Sequence, residues 1–245
     1  MKTELKLEYD FCGCEQEGIP AIIVAAGNSS RMNGTNKQLI ELLGVPVIVR
    51  TLLAFEKSPV ISRIILVVRD QDVYSLQLLA EKYNISKLSD IVCGGDCRLA
   101  SVLKGFERLC ENEQKVLIHD GARPLVSQRI ICEVAKALET ATAAVCGVKV
   151  KDTLKRVDQN GNIIKTVDRE SLFAVQTPQG VRKNEFLNAA KEVSNMNSIT
   201  DDMAVMESAG HSCIMIEGSY QNIKITTRED IPLAEIFLKE NTLCE

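Results

Sequence analysis

The sequence predicts an α/β fold, a doubly wound and mostly parallel β-sheet from which a β-hairpin arm projects. Three observations support this prediction. Short apolar runs recur along the chain, stretches with helical apolar spacing lie between them, and the alternation breaks at a turn rich in Asp, Asn and Gly. Alternation of this kind is typical of parallel strands covered by helices on both faces. The 245 residues, 45% of them hydrophobic, suffice for one such domain with a sizeable core.

The regular part of the pattern supplies the predicted strands and helices. Continuous apolar runs, typical of strands buried on both faces, occur at 21–25, 64–68 and 116–118. Apolar residues at i, i+3 and i+4 predict helices at 47–55, 74–83, 99–110 and 130–138. Further along, we expect a helix at 198–209, a strand at 213–216 and a helix at 228–239. In such sheets ligands bind beyond the carboxyl ends of the strands. The loops to inspect therefore follow Ala25, Val92, His119 and Val148.

The alternation breaks between residues 149 and 168, where two β-prone segments flank a turn. Residues 149–157 and 163–167 have the composition of strands and are joined by Asp158-Gln159-Asn160-Gly161. Asn-Gly between two such segments is a strong signal for a hairpin. A projecting hairpin exposes apolar surface and strand edges. We therefore expect the arm, residues 149–168, to contact a second copy of the chain in a homodimer.

Composition limits the partners and the location. The net charge of −4 provides no general affinity for nucleic acid or an anionic membrane, so cations that bind a phosphate must be concentrated locally. Residues 1–18 are polar and lack the apolar segment of a signal peptide. Nine scattered cysteines, an odd number, suit reduced thiols. We expect a cytoplasmic protein that binds neither membrane nor nucleic acid, with a flexible extension at 1–18 and one domain at 19–245.

The first candidate loop is Ala25-Ala26-Gly27-Asn28-Ser29-Ser30-Arg31-Met32, followed by Lys37. Its small residues would let backbone N–H groups approach a phosphate, and Arg31 and Lys37 supply local cations. The loop matches neither the Walker A motif nor the G-x-G-x-x-G fingerprint. By itself it is equally well interpreted as a common connection with two solvated cations.

A second loop, Cys93-Gly94-Gly95-Asp96-Cys97-Arg98, lies between a predicted strand and a predicted helix. The two glycines suit close contact with a base or ribose, and Ser101 lies one turn into the helix, where its hydroxyl can reach a base. Without further information, an ordinary connection between strand and helix is the simpler interpretation.

The third loop, His119-Asp120-Gly121-Ala122-Arg123-Pro124, places a carboxylate at the end of an apolar strand. Asp120 is suited to hold Mg²⁺ near a triphosphate, because phosphates and water complete the coordination of that ion. The alternative is an ion pair between Asp120 and Arg123. We expect His119 to be packed or hydrogen-bonded rather than a metal ligand.

Later segments add hydroxyl groups and cations that would suit a pocket for a second phosphate. These residues are Thr153, Arg169, Thr177 and Lys224. Taken alone, they are interpreted as solvated faces of the hairpin. The segment Thr200-Asp201-Asp202 is interpreted as a helix N-cap followed by acidic residues in the first turn.

Together these segments resemble the 2-C-methyl-D-erythritol 4-phosphate cytidylyltransferases of the non-mevalonate isoprenoid pathway, over nearly the whole chain from Pro20 to Lys239. Seven motifs occur in family order: A-A-G-x-x-x-R-M, G-G-x-x-R-x-x-S-V, H-D-x-A-R-P, K-D-T-x-K, T-V-D-R, T-P-Q and N-I-K-x-T. The resemblance implies a Rossmann-like sheet and a homodimer whose arms complete each other's sites. It also implies metal-assisted transfer of CMP from CTP to the acceptor phosphate, with release of pyrophosphate.

The resemblance also implies roles for individual residues by matched position. Arg31 and Lys37 would stabilise charge on the triphosphate, and Asp120 would contact Mg²⁺ and the ribose. Arg169 and Lys224 would position the acceptor. The other nucleotide-binding residues would be Ala25, Ala26, Gly27, Gly94, Gly95, Ser101 and Gly121. The other acceptor-binding residues would be Arg123, Thr153 and Thr177.

The sequence departs from the family pattern at two places and leaves three rival functions open. Gly121 replaces the usual Ala, and the segment between Arg31 and Lys37 lacks the usual Pro and is one residue shorter. The nearest rival is a cytidylyltransferase that acts on ribitol 5-phosphate. A nucleotidyltransferase for another base and a catalytically silent nucleotide-binding protein are the others. Loss of Arg31, Lys37, Asp120 or Lys224 would have indicated the silent protein, and the sequence retains all four.

Overall fold

The computed structural model describes residues 18–27 and 36–243, so Arg31 and the predicted extension before Gly18 lie outside the described residues. The strands are β1 (Ile19–Val24), β2 (Glu41–Leu42), β3 (Val45–Pro46), β4 (Ile61–Val68), β5 (Leu88–Cys93), β6 (Lys115–Asp120), β7 (Ala143–Lys149), β8 (Leu154–Val157), β9 (Ile163–Val167), β10 (Phe173–Arg182) and β11 (Cys213–Glu217). The helices are α1 (Val47–Glu56), α2 (Val73–Lys82), α3 (Arg98–Phe106), α4 (Gln128–Ala137), α5 (Lys183–Glu192), α6 (Asp202–Ser208) and α7 (Asp230–Leu243).

Seven strands form the main sheet, in the order β11–β7–β10–β6–β1–β4–β5. Strand β1 is parallel to its neighbours β4 and β6, β5 is parallel to β4, and β11 is parallel to β7. Strand β10 runs antiparallel to both β6 and β7, so the other six strands share one direction. The predicted mostly parallel sheet is confirmed.

Helices cover both faces of this sheet, which confirms the doubly wound architecture. Side chains alternate across β1, so Ala21 and Ile23 join one hydrophobic core while Ile22 joins the other. The first core includes residues of α1, α2 and α4, and the second includes residues of α3, α5 and α6. Because β1 and β4 are buried on both faces, their near-continuous apolar sequences were readable as strands.

The predicted arm is a separate two-stranded antiparallel sheet of β8 and β9, in which Leu154 pairs with Val167. At its tip, the Asp158 carboxylate accepts hydrogen bonds from the backbone N–H groups of Asn160 and Asn162. Gly161 has a φ of 84°, which favours glycine. Apolar side chains of the arm are exposed, at 38%, 50%, 66% and 58% for Leu154, Val157, Ile163 and Ile164.

The structure corrects several predicted boundaries. Residues 149–157 do not form one strand, because β7 ends at Lys149, opposite Phe173, and the arm begins its own pairing at Leu154. The helix predicted at 198–209 begins only at Asp202, where Asp201 accepts a hydrogen bond from the N–H of Ala204 as the N-cap. Strand β10 and helix α5 were not predicted.

The sequence of β10 explains why that strand was missed. It contains Pro178 and four polar or charged residues, which argue against a central strand. The pairing of β10 with β7 is interrupted between Val175 and Gln179, and Pro178 lies within that irregular stretch. Within the two described ranges, no helix is both long and apolar enough to cross a membrane.

Candidate active site

A cavity of about 590 Å³ lies at the carboxyl edge of the main sheet. Its wall includes the last residues of three parallel strands, Val24, Val68 and Asp120, and the residue after a fourth, Gly94. This is where the alternating pattern predicted a ligand site. The predicted site residues that line the cavity are Ala26, Gly27, Lys37, Gly94, Gly95, Ser101, Asp120 and Lys224.

Four other predicted residues support the wall from behind. Ala25 is buried, and a Cβ at Gly121 would lie 3.0 Å from the Ala25 Cβ, so these residues pack closely. The Thr177 hydroxyl accepts a hydrogen bond of 3.0 Å from the N–H of Asp120. The Nε of Arg123 lies 3.5 Å from Oδ2 of Asp120. These residues therefore fix the strand end that carries Asp120.

Two predicted acceptor-binding residues are not brought to the cavity. Thr153 and Arg169 lie in exposed segments at the base of the arm, and neither lines the cavity. A side-chain nitrogen of Arg169 instead donates to the backbone carbonyl of Lys151. Lys151 in turn lies over the ring of Tyr220, with its Nζ 3.4 Å from the ring centroid.

The double glycine forms a tight wall between the ends of β1 and β5. A Cβ at Gly94 would lie 2.4 Å from the Cβ of Ala26 and 2.8 Å from the Oγ of Ser101, distances too short for any other residue. Ser101 is buried, and its hydroxyl accepts a 3.1 Å hydrogen bond from the Gly95 N–H and lies 3.0 Å from the Cys97 carbonyl, to which it donates. The hydroxyl of Ser101 thus holds the loop in place.

Asp120 is the centre of the charge arrangement. Its Oδ2 lies 2.8 Å from Lys224 Nζ, and its Oδ1 lies 3.7 Å from Arg98 Nε. Burial alone would raise the pKa of Asp120, but attraction by Lys224, Arg98 and Arg123 is stronger and holds the pKa well below its usual range. The carboxylate is therefore charged at neutral pH, and the predicted Asp120–Arg123 pair is one of three that it makes with the described residues.

The donor set suits Mg²⁺ that is held jointly with a triphosphate. Mg²⁺ usually takes one or two protein carboxylates and completes its octahedron with phosphate and water oxygens. Asp120 offers a carboxylate at the cavity, and the 3.7 Å from its Oδ1 to Arg98 Nε is too long for a hydrogen bond.

Lys224 is fixed at the cavity by the loop that carries it. The buried Asn222 donates from Nδ2 to the carbonyl of Thr177 at 2.9 Å, and its own carbonyl accepts from Arg123 Nη1 at 2.8 Å. The N–H of Ile225 donates to the carbonyl of Ala122 at 2.8 Å. These bonds join the N-I-K-x-T segment to the loop after β6, so Lys224 and Asp120 meet although 104 residues separate them in sequence.

His119 is a packing residue, as expected. It is fully buried, with Nε2 3.1 Å from the Arg123 carbonyl and Nδ1 3.0 Å from the Thr177 hydroxyl. Burial lowers the pKa of His119 to about 4, so the ring is neutral at pH 7.

Four polar residues that line the cavity were not among the predicted site residues: Gln38, Arg69, Asp96 and Arg98. The Gln38 Oε1 is buried without a hydrogen-bond partner among the described residues. Arg69 forms two hydrogen bonds with Asp72, of 2.6 Å and 3.1 Å. Arg98 belongs to the G-G-x-x-R motif, which was a signal for it, but its partner Asp202 comes from a distant segment.

Comparisons with known proteins all point to one family. The family model described as 2-C-methyl-D-erythritol 4-phosphate cytidylyltransferase matches residues 19–240. A protein of that name from Clostridium novyi is 44% identical over 227 residues, which cover 91% of this chain and 98% of the relative. One from Bacillus licheniformis is 41% identical, covering 89% of this chain and 94% of the relative. The crystal structure of a 4-diphosphocytidyl-2C-methyl-D-erythritol synthase from Anaerococcus prevotii matches with a TM-score of 0.80 at 32% identity, covering 91% and 97% of the two chains.

Proposed function

The chain belongs to the 2-C-methyl-D-erythritol 4-phosphate cytidylyltransferase family, and we propose that it transfers CMP from CTP to 2-C-methyl-D-erythritol 4-phosphate. The products are 4-diphosphocytidyl-2-C-methyl-D-erythritol and pyrophosphate. One structural observation carries the assignment to this site. The Lys224–Asp120 pair and the Gly94-Gly95 loop line the same cavity at the carboxyl edge of the sheet.

The chemistry needs alignment and charge stabilisation more than proton transfer. A phosphate oxygen of the acceptor is already an anionic nucleophile, so it attacks the α-phosphorus of CTP without a general base. The bond between the α-phosphorus and the bridging oxygen then breaks, and pyrophosphate leaves with that electron pair. Cations fixed beside the phosphates are suited to such a reaction. We assign this role to Lys37 and Lys224, which line the cavity, and to Arg31, which lies outside the described residues.

The glycine loop is our proposed site for the cytosine and ribose. Gly94 and Gly95 line the cavity without side chains, so a flat base can approach the loop closely, and Ala26 and Gly27 line it from the β1 side. We assign to Asp120 the contact with the ribose and, together with the triphosphate, the binding of Mg²⁺. When bound, Mg²⁺ would supply a counter-charge for the triphosphate and the leaving pyrophosphate.

We propose that the acceptor site is completed in a homodimer. Lys224, Arg123 and Thr177 lie at or behind the cavity, whereas Thr153 and Arg169 lie in exposed segments at the base of the arm. The exposed apolar side chains of the arm support a role in contacting another chain. In such a dimer the arm of one chain would bring Thr153 and Arg169 to the cavity of its partner. The cytoplasmic location expected from the sequence stays a prediction.

Pyrophosphate release tests the proposed function and separates it from its rivals. The purified chain is incubated with Mg²⁺ and each of the four nucleoside triphosphates, with either 2-C-methyl-D-erythritol 4-phosphate or ribitol 5-phosphate as acceptor. Turnover with CTP and the methylerythritol acceptor alone is the expected result. Turnover with ribitol 5-phosphate alone would overturn the acceptor, turnover with another base would overturn the nucleotide, and inactivity would favour a silent binding protein.

A further inference from the structure

The segment Thr200-Asp201-Asp202, predicted as a simple helix cap, makes a second contact that reaches the cavity. Both oxygens of the Asp202 carboxylate accept hydrogen bonds from Arg98, at 2.7 Å from Nη1 and 2.8 Å from Nη2. The Asp202 side chain is only 1% exposed. A buried, two-point pair of this kind fixes the plane of the guanidinium as well as its position.

Asp202 is itself held by the unpredicted strand β10. The Gln179 Oε1 accepts hydrogen bonds from the backbone N–H groups of Asp202 and Met203, at 2.9 Å and 3.1 Å. The Gln179 Nε2 donates to Asp201 Oδ2 at 3.0 Å. Gln179 also pairs across the sheet with Ile118, two residues before Asp120. The start of α6 is therefore tied to the strand that carries Asp120.

Because Asp202 takes the two terminal nitrogens of Arg98, the Nε edge of the guanidinium is left facing Asp120. The distance from Nε to Asp120 Oδ1 is 3.7 Å, and Lys224 contacts the other oxygen. The two cations thus lie on opposite oxygens of the carboxylate. A guanidinium that was free to turn would be able to close on Oδ1 and compete with a ligand for it. The two hydrogen bonds between Arg98 and Asp202 prevent this approach.

We propose that Arg98 is a positioning residue, held by Asp202, which sets the orientation of the Asp120 carboxylate in the nucleotide cavity. The inference rests on the proposed function, because it gives Asp120 its contact with the nucleotide. The proposal also assigns a role to the T-P-Q segment, residues 177–179, and to the T-D-D segment, residues 200–202. Thr177 holds the backbone of Asp120, and Gln179 holds the helix start that carries Asp202.

The chain offers a matched control for the Arg98–Asp202 pair. Arg63 donates from Nε and Nη2 to the two oxygens of Glu113, both at 2.8 Å, and both side chains are largely buried. Neither residue lines the cavity. Asp202→Asn and Glu113→Gln each remove one carboxylate charge from a two-point pair with little change in shape. A purely structural role predicts that the two variants behave alike.

The test combines steady-state kinetics with calorimetric titration of CTP in the absence of acceptor. Asp202→Asn should reduce kcat/KM for CTP by roughly ten- to a hundredfold, since a misplacement of about 1 Å can cost that much. It should also weaken CTP binding, while the KM for the acceptor at saturating CTP changes little. Glu113→Gln should lower the melting temperature without altering these constants. Equal kinetic effects of the two variants, or wild-type kinetics in Asp202→Asn, would overturn the inference.

Arg98→Lys separates orientation from charge. Lysine keeps the positive charge but cannot form both hydrogen bonds to Asp202, so this variant should resemble Asp202→Asn in kcat/KM and in CTP binding. The double variant should lose no more kcat/KM than either single variant. Wild-type behaviour of Arg98→Lys would show that charge alone suffices and would overturn positioning. If wild type turns over neither acceptor, the proposed function fails. Calorimetric titration of CTP then tests the role of Arg98 by itself. An unchanged affinity for CTP in Asp202→Asn and Arg98→Lys would contradict that role.

Discussion

The two edges of the main sheet carry the same kind of ion pair in very different surroundings. At the amino edge, Arg63 near the start of β4 donates two hydrogen bonds to Glu113 and one of 3.1 Å to Asp90. At the carboxyl edge, Arg98 donates two hydrogen bonds to Asp202 and faces Asp120 beside a cavity of about 590 Å³. The amino-edge pair joins neighbouring elements, and neither of its residues lines the cavity. The carboxyl-edge pair extends through Asp120 to Lys224, where a ligand can enter.

This comparison shows that an arginine–carboxylate pair does not by itself identify a site. What distinguishes the carboxyl edge is the close approach of glycine backbone and several charged groups around one open space. The arm also begins at this edge, because it follows the last residue of β7. Variants at the carboxyl edge should therefore alter binding and turnover, whereas variants at the amino edge should alter stability.

The largest effect is expected from Lys224→Ala. It removes the cation 2.8 Å from Asp120 and a positive charge beside the bound phosphates, so turnover should fall by roughly 10²-fold or more. The loss should be accompanied by weaker use of the acceptor. The measurement is pyrophosphate release at varied concentrations of CTP and of acceptor.

Lys104→Ala provides the control for this prediction. Lys104 is half exposed on α3 and pairs with Glu107, away from the cavity wall. The control should retain wild-type turnover. If Lys224→Ala also retained it, the carboxyl edge would lose its main catalytic assignment.

A smaller effect is expected from Ile163→Asp in the arm. If the arm packs on a second chain, the variant loses the burial of an isoleucine side chain, which is worth about 1.5–3 kcal/mol. The dissociation constant of the dimer should then rise by roughly tenfold or more. Sedimentation or light scattering over a range of concentrations measures this shift.

Tyr74→Asp is the matched control for the arm, because Tyr74 is 73% exposed on α2 and Ile163 is 66% exposed. The control should assemble like wild type. Turnover of Ile163→Asp should decline with its dimer fraction, since the partner's arm is proposed to complete the acceptor site. A wild-type chain that stays monomeric, or an unaffected Ile163→Asp dimer, would contradict the proposed assembly.

The smallest effect is expected from Glu113→Gln and concerns stability alone. At neutral pH the free energy of unfolding should fall by about 2 kcal/mol, the typical worth of a hydrogen bond to a charged group. Burial raises the pKa of Glu113, but hydrogen bonds from Arg63 and from the Cys110 N–H, together with attraction by Arg63 and Lys183, outweigh it and hold the pKa below its ordinary value of 4.5. The unfolded chain therefore binds more protons as the pH falls below 4.5, and wild type loses this stabilisation.

Urea unfolding at several pH values tests the direction in which this stabilisation changes with pH. The difference in unfolding free energy between wild type and Glu113→Gln should be full above pH 4.5 and should shrink below it, because the glutamine side chain of the variant does not titrate. A difference that grows in acid would contradict the assignment. Altered kinetics in this variant would weaken the contrast between the two edges.

Much of the carboxyl edge was predictable because local sequence determines it. Continuous apolar runs gave β1, β4 and β6, and glycines or a carboxylate directly after such strands marked Gly94 and Asp120. The hairpin followed from its Asn-Gly turn. The family resemblance then supplied Lys224, whose local sequence alone indicates only a solvated lysine.

The missed features depend on contacts between distant parts of the chain. In β10, Gln176, Thr177 and Gln179 are buried although they are polar, because their partners are Ser219, Asp120, Asp201 and Asp202. No local pattern shows that such partners exist. Likewise, Asp202 has the sequence of a helix cap, and its pairing with Arg98 spans 104 residues. Thr153 and Arg169 were predicted at the acceptor site, and in the structure of one chain they lie in exposed segments at the base of the arm.

A crystal structure with CTP and Mg²⁺, without acceptor, is the most direct test of the central claim that the carboxyl-edge cavity is the nucleotide site. We expect the cytosine against Gly94 and Gly95, the phosphates beside Lys37, and Asp120 in contact with the ribose and the ion. CTP bound elsewhere, or with its base directed away from the glycine loop, would contradict this assignment of the nucleotide site.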